Sequence, residues 1–268
     1  MSTIVGSPVS SALSDLGLGA RRFRVWHVMG MEDLRLRYRR TAFGVLWLTA
    51  TFSLFIAAKS VVFSGIMPVP FVEYTLYMAT SFLIWGFLST TMVDACTVWI
   101  NAESWIRGVN VPKSIFVFQV IWRNLITASF SAIAVAAIFL LLRQPLGWYA
   151  LASVPGLGIV LLNAGWVSLL FGVLATRYRD VVHLIRTFMG IMFFVTPILW
   201  IPETMGPRFE MFALYNPFAH FIAIVRDPLV YGTSDLISWV VCGTITVVGW
   251  LAAFFVFARY RNRLVFWF

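Results

Sequence analysis

Long apolar runs without charge divide the sequence into candidate membrane spans. The clearest runs extend from Tyr74 to Val93, from Asn124 to Leu142 and from Leu236 to Ala258. About 20 apolar residues, each rising about 1.5 Å along a helix, cross the hydrocarbon core of a bilayer. The pattern therefore predicts six transmembrane helices, at about residues 43–66, 74–97, 116–142, 149–175, 182–201 and 237–258.

Two stretches depart from a simple succession of spans. The run from Gln144 to Thr176 is longer than one crossing needs, and Pro155 with Gly156 marks the expected irregularity. The stretch from Ile201 to Leu236 is too apolar for an ordinary loop, yet Asn216-Pro217 breaks it. We therefore expect short re-entrant periplasmic helices between spans five and six.

The predicted fold is an all-α membrane protein with three regions. Residues 1–42 form a cytoplasmic amino-terminal segment with an amphipathic interfacial helix, 43–258 the transmembrane domain, and 259–268 a basic cytoplasmic tail. The Ser- and Gly-rich start lacks the basic and apolar regions of a cleaved signal peptide.

Composition narrows the class of protein. Hydrophobic residues make up 60% of the chain and charged residues 12%, against about 25% charged residues in soluble domains. This excludes a soluble enzyme, a secreted domain and a disordered protein, because one core could not hide so much apolar surface. The net charge of +9 is expected in cytoplasmic loops of a membrane protein, so no nucleic-acid partner is predicted.

The distribution of basic residues predicts the orientation. Of the 20 Lys and Arg residues, seven lie in the amino-terminal segment, two in the second loop, two in the fourth loop and three in the tail. The loops on the other side hold three. Because basic loops remain in the cytoplasm, both termini are predicted to be cytoplasmic.

No pattern of catalytic or metal-binding residues is present in the sequence. Neither Lys59 nor Lys113 follows a glycine-rich phosphate loop, and the three histidines lack metal-ligand spacing. The chain is therefore predicted not to be an enzyme and to bind no metal or cofactor itself. Cys96 and Cys242 both fall inside apolar runs and are expected to be free thiols.

The segment from Arg21 to Arg40 mixes aromatic and apolar residues with seven arginines. Such a segment suits a helix on the membrane surface. The positive-inside rule alone would explain the arginines. The functional alternative is that planar guanidinium groups bind the phosphates of a lipid headgroup. The candidate lipid-binding residues are Arg35, Arg37, Tyr38, Arg39 and Arg40.

Ionisable residues inside spans are costly and point to a role. Asp94, Arg123 and Arg186 fall in the cytoplasmic third of their predicted helices and could form one interhelical charge cluster. A purely structural ion pair is the alternative. Lys59 lies near the outer end of the first span, where its side chain could reach the interface.

Aromatic stripes with helical spacing follow the first and fifth spans. One interpretation is packing in the core or against lipid. The other is a conduit whose aromatic faces stack on the sugar rings of a passing polymer. The candidate channel-lining residues are Phe52, Phe55, Lys59, Phe63, Arg186, Phe193 and Trp200.

Several motifs resemble those of ABC-2-type polysaccharide exporter permeases. The first is Arg37-Tyr38-Arg39-Arg40-Thr41-Ala42-Phe43-Gly44-Val45-Leu46-Trp47, which leads into the first span. Others follow in family order, and the tail is similar to the branch that exports lipopolysaccharide O-antigen. These later motifs are Asn110–Lys113, Arg177–Asp180, Pro197–Trp200, Asn216–Phe218, Arg226-Asp227 and Arg259–Trp267.

The resemblance implies the permease subunit of an ABC transporter in the bacterial inner membrane. It implies a homodimer, a separate pair of ATPase subunits that bind ATP and Mg, contact with membrane lipid, and a polysaccharide linked to undecaprenyl diphosphate, first of all O-antigen, as substrate. The loop between spans two and three would dock on the ATPase, and the stretch before span six would form a periplasmic gate. The implied ATPase contacts are Trp99, Glu103, Trp105, Arg107 and Lys113; the implied gate residues are Asn216, Pro217, Phe218, Arg226 and Asp227.

The sequence also leaves other classes of protein open. Within the same class the alternatives are a capsular polysaccharide or teichoic-acid exporter and an ABC-2 exporter of drugs or lipids. A membrane-embedded glycosyl or lipid-phosphate transferase is the alternative of another class, although the 11 acidic residues are scattered along the chain.

Overall fold

The computed structural model describes residues 8–268, so the first seven residues of the predicted amino-terminal segment lie outside the described part. All regular structure in residues 8–268 is helical, which confirms the all-α class. The α-helices are α1 Pro8–Arg21, α2 Phe23–Tyr38, α3 Leu46–Phe63, α4 Phe71–Thr97, α5 Glu103–Gly108, α6 Ser114–Leu141, α7 Ser153–Arg177, α8 Asp180–Val195, α9 Pro202–Met205, α10 Pro207–Tyr215, α11 Pro217–Val230 and α12 Leu236–Tyr260; two 3₁₀ helices are Trp148–Ala152 and Arg261–Phe266.

Five helical segments are long and apolar enough to cross a membrane: α3, α4, α6, α7 with the 3₁₀ helix before it, and α12 with the 3₁₀ helix after it. They correspond to five of the six predicted spans. The remaining span corresponds to α8, which has 16 residues and therefore extends only about 24 Å. It ends where Thr196 adopts an extended conformation before Pro197. The count of six spans stays a prediction.

The expected irregularity in the fourth span lies at its beginning. The chain enters through the 3₁₀ helix Trp148–Ala152, and Pro155 occupies the first turn of α7, where its missing N–H costs no intrahelical hydrogen bond. Ser153 Oγ donates a 2.8 Å hydrogen bond to the Val225 carbonyl oxygen, which ties this end of α7 to α11.

Helix α4 is the centre of the bundle. Of an apolar stretch of 18 residues in α4, 56% is buried inside the chain, against 11% for such a stretch in α3. Helix α4 contacts α3, α6, α7, α8 and α11. The large core residues of α4 include Tyr74, Tyr77 and Met78, all essentially inaccessible. Helix α3 packs mainly against α4 and α6.

Three short helices connect α8 to α12, and each begins with proline at its first position. This placement uses proline where helix geometry accepts it. Gly206 joins α9 to α10 with a φ of 92°, a conformation that favours glycine. Helix α11 packs against α4, α7 and α12. The short helices predicted between spans five and six are present, whereas their re-entry into the membrane stays a prediction.

The first two helices lie at one end of the bundle, beside the start of α6, α5 and the 3₁₀ helix Arg261–Phe266; we call this the basic end. Helix α2 coincides with the predicted amphipathic helix. Helix α1 was not predicted, and its Asp15 carboxylate accepts hydrogen bonds from the backbone N–H groups of Lys113 and Ser114, at 3.2 and 3.0 Å. Asp15 therefore caps α6, since those N–H groups have no acceptor within their own helix.

Candidate functional site

The basic end contains a cavity of about 570 Å³ between α2 and α6. The chain between α4 and α5 closes one side, and Trp105 of α5 also lines it. We call this space the α2–α6 cavity. Its polar and charged lining residues include Glu32, Asp33, Arg37, Asn101, Gln119 and Arg123.

Arg123 links three helices beside this cavity. Its Nη2 lies 2.7 Å from Asp94 Oδ2 on α4, and its Nη1 lies 3.1 Å from Asp33 Oδ2 on α2. The pairing of Asp94 with Arg123 was expected. Arg186 does not join them: its side chain is exposed on α8, and it has no ion pair within residues 8–268. Asp33 was missed, because only packing brings α2 against α6.

The candidate lipid-binding arginines differ in their surroundings. Arg35 is exposed and pairs with Glu32 at 2.7 Å, whereas Arg37 lines the α2–α6 cavity. Arg39 and Arg40 are exposed in the turn that follows α2. Tyr38 is partly buried at the end of α2. The segment thus has one arginine facing the cavity and three outside it.

The predicted ATPase-docking loop forms α5 and the chain on either side of it. Trp105 is 53% exposed, and Arg107 pairs with Glu103 at 2.9 Å. Trp99 corrects the prediction, because it is fully buried. Its indole stacks on Phe257 with centroids 5.8 Å apart, so it packs inside this chain and has no surface to offer a partner.

Lys113 is also held inside the basic end. The Trp99 Nε1 group donates to the Lys113 carbonyl oxygen at 3.0 Å, and the Lys113 ammonium donates to the Arg261 carbonyl oxygen. Burial, assisted by the charge of Arg261 and opposed by that of Asp15, lowers the pKa of Lys113 to about 8. Lys113 therefore connects the docking loop to the tail.

The aromatic stripes of α3 and α8 meet across α4. Phe82 lies 4.9 Å from Phe55 and 5.6 Å from Phe193, measured between ring centroids. The Lys59 ammonium lies 4.7 Å from the centre of the Phe55 ring. Phe82 was missed as a member of this group, because its position in α4 carries no signal of its own. A role in lining a conduit stays a prediction for Phe52, Phe55, Lys59, Phe63, Arg186, Phe193 and Trp200.

A second polar cluster lies at the opposite end of the bundle, around Arg226. Its guanidinium lies 4.1 Å from the centre of the Tyr77 ring, and its Nε donates to Asp227 Oδ1 at 2.7 Å. The Tyr77 hydroxyl donates to the Pro197 carbonyl oxygen at 2.9 Å. The Arg226 Nη1 group lies 3.4 Å from the same carbonyl oxygen. The irregular chain after α8 is therefore held by α4 and α11 together.

Asn216 adds another link to that chain. Its Oδ1 accepts the Phe218 N–H at 2.9 Å and caps α11, while its Nδ2 donates to Thr196 Oγ1 at 2.9 Å. Pro217 is the first residue of α11. The motifs Pro197–Trp200, Asn216–Phe218 and Arg226-Asp227, which are far apart in sequence, thus form one contact region; gating by it stays a prediction.

No set of three or more His, Cys, Asp or Glu side chains suited to a metal ion occurs within residues 8–268. The chemistry of the two polar clusters is that of arginine with carboxylates, backbone carbonyls and aromatic rings. Such groups bind anions and hold helices together, and neither cluster contains an activated nucleophile.

Comparison with known proteins agrees with the resemblance that the motifs indicate. The chain is 25% identical over 228 residues to an O-antigen export system permease protein RfbA of Klebsiella pneumoniae, covering 83% of this chain and 88% of that protein. A second RfbA of that organism is 26% identical over 208 residues, covering 77% and 80%. The resemblance to O-antigen exporter permeases is confirmed. No protein-family model matches the chain. The relatives are transport permeases of the membrane, and the alternative classes are not favoured.

Proposed function

We propose that this chain is the permease subunit of an ABC transporter that exports O-antigen across the bacterial inner membrane. The observation that carries the proposal is its similarity to O-antigen export permeases over most of its length. The five long apolar helices support it, because a permease must span the membrane. In this proposal the chain hydrolyses no ATP, and a separate pair of ATPase subunits binds ATP and Mg.

The polymer would arrive linked to undecaprenyl diphosphate, and its headgroup would bind at the basic end. Support comes from the α2–α6 cavity, where Arg37 and Arg123 line a space large enough for a diphosphate and a sugar. Arg35, Arg39 and Arg40 are exposed in or just after α2, the helix that lines this cavity, and would attract the anionic headgroup. In this arrangement both termini lie in the cytoplasm.

Two copies of the chain would enclose the path of the polymer. The poor burial of α3 supports this, since only 11% of Leu46–Phe63 is buried within one chain. ATP-driven closure of the ATPase pair would move α5, and the two copies would separate enough to admit a sugar chain. A path lined by aromatic rings would offer weak contacts along which a neutral polymer slides. The Arg226 cluster would form the periplasmic gate.

Deletion of the gene in its own bacterium tests the proposal. Export of O-antigen should stop, and polymer linked to undecaprenyl diphosphate should accumulate inside the cell. Lipopolysaccharide gels and surface labelling with an O-antigen antibody measure the loss of export. As a control, the gene together with its cognate ATPase gene should restore export. The permease gene alone should not restore export in a strain that lacks the ATPase. Normal surface O-antigen after deletion would refute the proposal.

A further inference from the structure

Gln119 and Arg123 direct two donors of α6 to one point in the α2–α6 cavity. They are four residues apart, so their side chains leave the same face of the helix. Gln119 Nε2 lies 2.9 Å, and Arg123 Nη1 3.1 Å, from a single acceptor, Asp33 Oδ2. Two converging donors, one of them charged, make a site for an anionic oxygen.

The charge count around Arg123 shows that its two carboxylates are not equivalent. Arg123 carries one positive charge, yet both Asp33 and Asp94 contact it. Asp94 is closer, at 2.7 Å against 3.1 Å, and its side chain is 24% exposed against 33% for Asp33. Arg123 can neutralise only one of them, and it lies nearer to Asp94, so Asp33 supplies the negative charge in excess and is the more exposed of the two carboxylates.

The two carboxylates also belong to different parts of the fold. Asp94 lies in the last turn of α4, inside the bundle, whereas Asp33 lies on α2, which packs mainly against α6. Replacing Asp33 by another anion would leave Arg123 fixed to α4. The same replacement would remove the charged link between α2 and the bundle.

We propose that Asp33 occupies an anion site on α6 that a phosphate group of the substrate takes over, so that substrate binding releases α2. This inference rests on the proposed function, because it assigns the α2–α6 cavity to a phosphate-bearing substrate. The incoming phosphate accepts from Gln119 and Arg123 in place of Asp33 Oδ2, and its charge repels the displaced carboxylate. No bond is made or broken in the exchange.

Binding of phosphate compounds to the full-length chain with its ATPase subunit in nanodiscs tests the exchange. The probes are undecaprenyl diphosphate and inorganic pyrophosphate. Asp33→Asn removes the competing anion and should lower the Kd about tenfold. Asp94→Asn is the matched control, because it removes a carboxylate from the same guanidinium without vacating the site; its effect should be several-fold smaller. Equal effects of the two variants would overturn the inference.

A second variant distinguishes a change in binding from misfolding. Gln119→Leu removes one donor without changing any charge, and it should raise the Kd several-fold while the thermal unfolding temperature stays close to that of the wild type. If Asp33→Asn does not tighten binding and Gln119→Leu does not weaken it, Asp33 does not occupy a phosphate site.

Hydrogen exchange of the α2 amides measures the release directly. In the wild type the probe that binds should speed exchange in α2 several-fold, with no such change in α7. In Asp33→Asn, exchange in α2 should already be fast without a probe. Unchanged exchange in α2 on saturation with both probes would overturn the release.

The two probes distinguish the possible sources of the phosphate. Binding of undecaprenyl diphosphate alone assigns the site to a lipid headgroup, and equal binding of pyrophosphate assigns it to the phosphate groups themselves; both support the anion site. Failure of the inference is separable from failure of the proposed function. If deletion of the gene stops O-antigen export while neither probe binds, the function stands and the anion site does not.

Discussion

The indole ring of Trp250 lies directly against the backbone of Gly165, where α12 crosses α7. A methyl group added at Gly165 would lie 2.6 Å from Trp250 Cζ2, which is closer than two carbon atoms can approach without a clash. Gly249 of α12 stands in the same relation to Trp166 of α7. Each helix thus contributes a glycine that faces a tryptophan of the other helix. The two glycines let the backbones approach closely.

This contact predicts the effect of a single added methyl group. Gly165→Ala should destabilise the folded chain by about 1–3 kcal/mol, because the overpacked indole must shift. Thermal unfolding in detergent measures the change. Gly158→Ala in the same helix is the matched control: nothing lies within 4 Å of its added methyl group, and alanine favours the helix by about 1 kcal/mol. Equal unfolding temperatures for the two variants would contradict the contact.

Two tryptophans of the docking region should respond differently to truncation. Trp99→Ala removes a fully buried ring and should cost about 3–5 kcal/mol of stability, seen as a lower unfolding temperature and poor expression. Trp105→Ala removes an exposed ring and should leave the unfolding temperature nearly unchanged.

The Trp105 variant should instead weaken binding of the ATPase subunit, measured by co-purification. The matched control is Trp148→Ala, since Trp148 is also highly exposed but precedes α7, at the end of α6 that lies away from the basic end. If the Trp105 variant binds the ATPase subunit as fully as the wild type does, Trp105 is not part of the docking surface.

Arg226 should be required for stability at the opposite end. Arg226→Ala leaves the Asp227 carboxylate, 18% exposed, without its charged partner, and should cost about 3 kcal/mol or more. The expected readout is a drop in the thermal unfolding temperature. Arg208→Ala is the comparison, since Arg208 is exposed and lies near α11 in sequence. A similar small drop for both variants would show that the cluster around Arg226 does not hold the chain after α8.

Lys113 should give the stability of the chain a dependence on alkaline pH. Its pKa is lowered to about 8 in the folded state, whereas an unfolded lysine keeps its proton until about pH 10.5. The unfolded state then binds more protons between these values, so the free energy of unfolding should rise as the pH increases from 8 to 10. Lys113→Met should lose this part of the pH dependence. Thermal unfolding across that range compares the two, and parallel curves would disprove the shift.

The apolar helices could be predicted because the bilayer imposes a length on each charge-free run. The α8 region was harder, because Pro197 and the extended residue before it end the helix early, while hydropathy continues through Trp200. Helix α1 was not predicted because serine and glycine residues interrupt the pattern of its apolar positions. Its role depends on Asp15, which caps a helix about 100 residues further along the chain.

The side-chain contacts of the site were only partly predictable. The pairing of Asp94 with Arg123 follows from their equal depth in adjacent spans. Membership of a loop, however, does not fix the direction of a side chain, and for this reason Trp99 was wrongly assigned to the docking surface. Asp33 and Phe82 belong to their clusters through contacts between helices that no local pattern specifies.

The two cysteines have a practical consequence. Cys96 and Cys242 are both free and fully buried, so neither sulfur is open to a water-soluble maleimide in the folded chain. The unmodified sequence should therefore give no background signal in site-directed cysteine labelling. One cysteine introduced on an exposed face would report its own side of the membrane, and with it the direction in which the whole chain is inserted.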